Sequence, residues 1–291
     1  MICQTRGAAL FPLALLFATA SLCGADQNSH NSTGELAAAA GIPSVESVEI
    51  DMLLSCWEHQ SAVAGPELLG VHLIRCDATF GTEKHSVGQI AIVSTEEAWF
   101  DLAPAEIPLG ARSNRSHPDG TGFRLELPAH DLVLWTPKHV ILANPPTKTW
   151  HRLSRAALPK GTSGNWWNRL LSGVRRPLSD WNPVLVEVSA ARLRDRYQIE
   201  VVRRIDDRQI QLRFSPRDQA GASPLKPAID VILDTCSCQV NAVRFSWEND
   251  DSTVLVITSR QSGIECCSKS RLEQLRAAGY HAISSKRFET K

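Results

Sequence analysis

The sequence predicts an α+β, mainly β fold: an antiparallel sheet of about eleven short strands, long enough to curl, with helices against one face. Three observations predict it. Short runs of alternating apolar and polar residues recur at hairpin spacing over most of the chain. A helix-period stretch precedes them, at residues 45–57. An aromatic, helix-period insertion interrupts them at residues 165–174.

Pro43-Ser44 opens the first helix. Val45, Val48, Met52 and Cys56 mark its expected apolar face, widened by Leu53 and Trp57, and Gly65-Pro66 stops it. Candidate strands follow at 69–75, 87–93, 97–102, 123–127 and 131–135, with a loop at 103–122. Residues 139–143 and 149–153 flank the turn Asn144-Pro145-Pro146-Thr147-Lys148 as a hairpin. Asn165 can cap a short helix carrying Trp166, Trp167, Leu170, Leu171 and Val174 on one face. Ser189 to Arg196 reads as a second short helix. Strands resume at 197–202, and alternation is clearest at Gln209–Phe214, with Ile210, Leu212 and Phe214 inward. Residues 229–234, 239–247 and 253–258 form a meander. Ser270-x-x-Glu273 is a capping box for a last helix ending at Gly279, beyond which the tail is expected to fray.

Arg6, the apolar run Ala8–Leu22 and the small residues after it read as a secretory signal peptide over residues 1–25. The run is short for a membrane span, and Pro12 interrupts it. Cys23 raises a lipid anchor, although Leu22 before it fits lipoprotein processing poorly. The polar stretch 26–42 reads as a flexible tether, 43–262 as one sheet domain and 263–291 as a C-terminal helix and tail. The expected location is exported: periplasmic, cell-envelope or secreted. Six cysteines then remain in the mature chain: Cys56, Cys76, Cys236, Cys238, Cys266 and Cys267. An even number in an exported protein suggests disulfides, and six allow 15 pairings. Cys56 with Cys76 is the natural first pair. Buried thiols and a zinc site stay open, though C-x-C and C-C are unusual ligand spacings.

The 31 Lys+Arg balance 31 Asp+Glu, which argues against a nucleic-acid partner. No nucleophile elbow, P-loop, zinc-protease or dinucleotide motif occurs, and the nine His are scattered. The reading is therefore not an enzyme, with no cofactor and no metal. The local tryptophan excess remains. Trp166, Trp167, Leu170 and Leu171 either plug the core or form a lid over an apolar cavity, with Trp135 and Trp150 on the preceding strands lining the same space.

The order of these elements resembles the LolA/LolB-like lipoprotein-carrier superfamily of bacteria. The resemblance rests on Leu53-Leu54-x-x-Trp57, on Gly88-Gln89-Ile90-Ala91-Ile92 with Trp99-Phe100-Asp101, on the hairpin Asn144 to Trp150, and on the run from Pro177-Leu178 through Arg194-Asp195-Arg196-Tyr197. It covers about residues 45–260. It implies a strongly curved, incomplete barrel with an N-terminal helix and a helical insertion covering the concave face. It also implies binding of a lipid or lipoprotein acyl chain without catalysis, and a buried arginine, for which Arg75 is the candidate by chain order. The cysteine-rich C-terminal half and the long 103–122 loop depart from the simplest carriers. An envelope protein-interaction or sensor domain with a filled core is the alternative function, and a secreted hydrolase a more distant one.

Overall fold

The computed structural model describes residues 45–94, 96–108, 111–116, 120–155, 188–217, 227–247, 249–263 and 267–283. Helix α1 spans Val45–Val63. Then come β1 (Glu67–Asp77), β2 (Thr82–Ile92), β3 (Ala98–Pro104), β4 (Arg112–Ser116), β5 (Gly122–Glu126), β6 (Asp131–Trp135), β7 (His139–Asn144) and β8 (Thr149–Ser154). Helix α2 (Ala190–Arg196) leads into β9 (Tyr197–Arg204), β10 (Gln209–Pro216), β11 (Ala228–Asp234), β12 (Val240–Ser246) and β13 (Ser252–Ser262). Helix α3 (Ser268–Ala277) and β14 (His281–Ala282) close the described chain.

The strands form one unclosed sheet in the order β14-β8-β7-β6-β3-β2-β1-β13-β12-β11-β10-β9, with the β4–β5 hairpin attached to β2. The predicted class holds, with two corrections. The sheet is mixed rather than purely antiparallel, because β5 runs parallel to β2 and β14 parallel to β8. It has fourteen strands, because part of the 103–122 loop forms β4 and two residues of the expected frayed tail form β14. Both additions are short and polar, so no alternation signals them; pairing with a preformed edge makes them strands.

Curvature is visible in how the side chains group. On one face, apolar residues from β10 round to β7 join a single cluster with Ile50, Leu53, Leu54 and Trp57 of α1. On the other face they separate into two clusters. Side chains converge on the concave side of a curved sheet and diverge on the convex side, so α1 lies in the concavity.

Helix α1 buries Ile50, Leu53, Leu54 and Trp57, at i, i+3, i+4 and i+7. This corrects the expected stripe: Val48 and Met52 are 44% and 69% exposed. Apolar residues surround the helix, and the stripe with the larger side chains occupies the concavity. Trp57 meets Phe214 edge-on, with centroids 6.2 Å apart, and Tyr197 meets the same ring from another side.

A disulfide joins Cys56 of α1 to Cys238, across 182 residues, with Cα atoms 5.9 Å apart. The first pairing expected from sequence, Cys56 with Cys76, does not form; Cys76 is a buried free thiol, and Cys236 and Cys267 are also free. Cys266 lies outside the described residues. Cys238 has a φ of 51°, an uncommon left-handed conformation for a side-chain-bearing residue. The turn before it is held by Asp234, whose Oδ1 accepts from the Cys236 and Ser237 N–H groups at 2.9 and 2.8 Å. That turn delivers the Cys238 sulfur to the helix.

Helix α3 packs on the convex face through Leu275 and Leu272. It begins at Ser268, two residues before the expected capping box, because Glu97 Oε1 accepts the Ser268 N–H at 2.6 Å. Gly279, at φ 88°, ends it as expected.

Two outcomes follow. Cys56→Ser lowers stability by about 2–5 kcal/mol in urea unfolding without reductant, because a very long loop is released. Leu54→Ala, at a position with no exposure, costs about 2–5 kcal/mol in the same measurement.

Candidate functional site

The concave face is filled unevenly. Under the middle of α1 it is solid: Leu54, Leu73, Phe214, Leu212 and Leu255 are fully buried. At the C-terminal end of α1 it opens into a cavity of about 330 Å³. The floor is apolar, made by Trp57, Leu69, Ile92 and Val240 beside the Cys238 arm of the disulfide. The rim is polar and carries Gln60, Ser61, Ser94, Gln239 and Ser262.

The cavity follows from the local sequence. Gly65-Pro66 ends α1 and turns the chain straight into β1, so the helix stops short of the sheet's edge. Strand alternation puts Glu67 and Leu69 on the concave side. Their partners Ser262 and Arg260 on β13, and Ile92 and Ile90 on β2, share that side. Arg260 Nη1 donates to Glu67 Oε2 at 2.6 Å, and its Nη2 donates to the Val240 carbonyl at 3.1 Å. The pair is largely shielded, with side-chain exposures of 20% and 10%. Polar surface exceeds apolar surface in this lining, an arrangement that can bury a small apolar group on the floor and orient it by hydrogen bonds at the mouth.

The residues singled out in the sequence are distributed as follows. Trp135 lies on β6 and packs against the concave cluster, with the Arg155 guanidinium 5.4 Å from its ring centroid. Trp150 lies on β8 in a convex cluster with Leu132, Leu134 and Leu275. The structure does not bring these two together. Ala143 faces Trp150, and Val140 faces Trp135, in a register whose alternate residues point to opposite faces. Trp166, Trp167, Leu170 and Leu171 lie outside the described residues. Arg75 is on the concave side of β1, where its Nη2 donates to Asp131 Oδ2 at 3.0 Å. Of the residues that define the cavity, Trp57 is on the expected helix face, Leu69 and Val240 read as ordinary strand residues, and Glu67 and Arg260 fall just outside the strands expected at 69–75 and 253–258.

A second polar cluster lies on the convex face, beneath the β4–β5 hairpin. His85 Nε2 is 2.6 Å from Glu83 Oε1, and His85 Nδ1 is 3.0 Å from His72 Nε2. The Cys76 thiol donates to Glu83 Oε2 at 3.4 Å, and Arg115 reaches Glu83 from the hairpin at 3.6 Å. Burial pushes the Cys76 thiol up to about 11, so it stays protonated. Burial raises Glu83 too, but the His85 hydrogen bond and the Arg115 charge more than offset this and leave it below its ordinary value. His72 is lowered to about 4, first by burial and then by His85 and Arg115. A single N–H lies between His72 Nε2 and His85 Nδ1, one ring nitrogen donating and the other accepting. The cluster therefore fastens the hairpin, whose Phe123 packs with Ile74 and Val254. Among the described residues no group of three or more His, Cys, Asp or Glu side chains is arranged to hold a metal ion.

No known family and no curated protein matches the sequence. Solved structures to which the chain is similar include an uncharacterized conserved protein from Thermus thermophilus, at 9% identity, 77% of this chain, 91% of that chain and a TM-score of 0.37. MucB is similar at 12% identity, 77% of this chain and a TM-score of 0.41, and this chain spans 62% of its length. A LolA superfamily protein from Nitrosomonas europaea is similar at 10% identity, 74% of this chain, 94% of that chain and a TM-score of 0.31. That name is the one the sequence resemblance points to; likeness at this level assigns no ligand, partner or activity.

Because folded His72 refuses a proton that the unfolded chain accepts, stability falls as pH drops from about 6.5 to about 4. Urea unfolding at pH 7 and pH 4.5 measures this. The loss is expected to be about 1–3 kcal/mol smaller in His72→Gln than in the wild type.

Proposed function

We propose that this chain is an exported, non-catalytic binding protein whose concave face takes a hydrophobic ligand, a lipid or a lipoprotein acyl chain. The observation that carries this reading is the cavity beside Trp57, where the concave face opens at the C-terminal end of α1 over the buried side chains of Trp57, Leu69 and Val240. Burying an acyl chain there gains roughly 0.8 kcal/mol per methylene, enough for a short chain to bind without strong polar contacts. Trp135 belongs to the same face and, with Trp166, Trp167, Leu170 and Leu171, to the proposed binding surface. Trp150, on the opposite face, supports the sheet rather than the ligand.

The reading extends the sequence argument: a signal peptide delivers the chain to the envelope, with Cys23 as a candidate lipid anchor. Its disulfide Cys56–Cys238 suits an oxidising compartment. A second reading, an envelope protein-interaction or sensor domain, is favoured by the solid packing under the middle of α1, which leaves that part of the concavity no room for a ligand.

Nile red, an uncharged apolar dye, tests the first reading. It binds the wild type saturably with a blue-shifted emission. Ala64→Trp, which fills the cavity mouth from the residue that follows α1, weakens that binding by about tenfold or more, or 1.4 kcal/mol. Organic extraction of purified protein followed by mass spectrometry yields a lipid from the wild type and less from the variant. A dye that binds both proteins equally places the ligand elsewhere, and lipid-free wild-type protein in repeated preparations leaves the protein-interaction reading.

A further inference from the structure

The electrostatics of the same cavity select among lipids, an inference that rests on the reading above. Among the described lining residues only Glu67 and Arg260 are charged, and they are paired with each other at 2.6 Å. Arg260 is held further by the Val240 carbonyl at 3.1 Å. Neither charge is offered to a ligand. A carboxylate or phosphate entering the mouth would lose water and meet Glu67, while the cation that would compensate it is already engaged. A cationic head would meet Arg260 in the same way. The rest of the rim is uncharged amide and hydroxyl: Gln60, Ser61, Ser94, Gln239 and Ser262. Such groups both donate and accept hydrogen bonds, which suits hydroxyl and ester oxygens. The size is selective as well, because about 330 Å³ is at the small end of ligand pockets, which run from roughly 300 to 1,000 Å³. One short chain fits, and a bundle of chains does not.

We infer that the cavity binds single-chain amphiphiles with an uncharged, hydroxyl-bearing head, a monoacylglycerol being the type, and discriminates against fatty acids and other charged amphiphiles. The Glu67–Arg260 pair is the specificity determinant. It neutralises the mouth and keeps Arg260 from recruiting an anion.

Displacement of Nile red by monodecanoylglycerol, decanoate and decyltrimethylammonium, each below its micellar concentration, tests this on the full chain. The glyceride is expected to displace the dye at concentrations at least about tenfold lower than either charged competitor. Glu67→Gln leaves Arg260 without its carboxylate, and decanoate then gains about tenfold. Glu67→Gln combined with Arg260→Gln is neutral again and returns the preference to the glyceride. Circular dichroism melts establish which variants fold; if Glu67→Gln does not, the wild-type panel and the double variant decide. Wild-type protein that takes decanoate as well as the glyceride overturns the inference and leaves apolar-ligand binding standing. Wild-type protein that binds no dye removes the binding reading itself, and this inference with it.

Discussion

The seating of α1 in the concavity of the sheet is the interaction on which the rest depends. A sheet that curves without closing leaves an apolar inner face too large to stay exposed. Ile50, Leu53, Leu54 and Trp57 cover its centre, and the Cys56–Cys238 bridge holds the helix to the turn before β12. Because that bridge closes so long a loop, it acts chiefly by restricting the unfolded chain. Its far anchor, Cys238, stands in a left-handed conformation at the end of the turn that Asp234 holds.

The cavity is a consequence of where that helix stops. Gly65-Pro66 ends α1 beside β1, so the concave core is solid in the middle and open at this end, as it also is beside Ile50 and Tyr197 at the other end of the helix. The Glu67–Arg260 pair stands at this opening because Glu67 leads β1 and its strand-mate puts Arg260 two residues further along on the same face. A buried pair of this kind adds little net stability. Its effect is on what the opening accepts, which links a strand register to ligand choice.

The two faces are fastened by different chemistry. The concave side relies on apolar packing and one covalent bond. On the convex side, polar anchors locate elements with small apolar footprints: Glu97 and Asp101 hold α3, and Glu83 with His85 and Arg115 holds the β4–β5 hairpin. These anchors were not legible in the sequence, where Glu97 reads as the start of a strand and the nine histidines as scattered. Cross-strand register brings His72 and His85 together from positions 13 residues apart, and no periodicity announces it.

Most of the strands, the N-terminal and C-terminal helices and the curved mainly-β class were legible, because alternation and helix stops are local and the β-runs are long enough to express them. The sequence alone also determined the even charge balance and the absence of familiar catalytic motifs, which are properties of composition and spacing. Tertiary structure decided the rest. It chose Ile50, Leu53, Leu54 and Trp57 over Val48 and Met52, because an all-round apolar helix is oriented only by the surface it meets. It paired Cys56 with Cys238, which adjacency in sequence cannot suggest across 182 residues. It put Trp135 and Trp150 on opposite faces, since a strand's side chains alternate and only the register says which face is inner. The cavity was decided there too, because it exists only where the end of a helix, four strand ends and a disulfide turn meet.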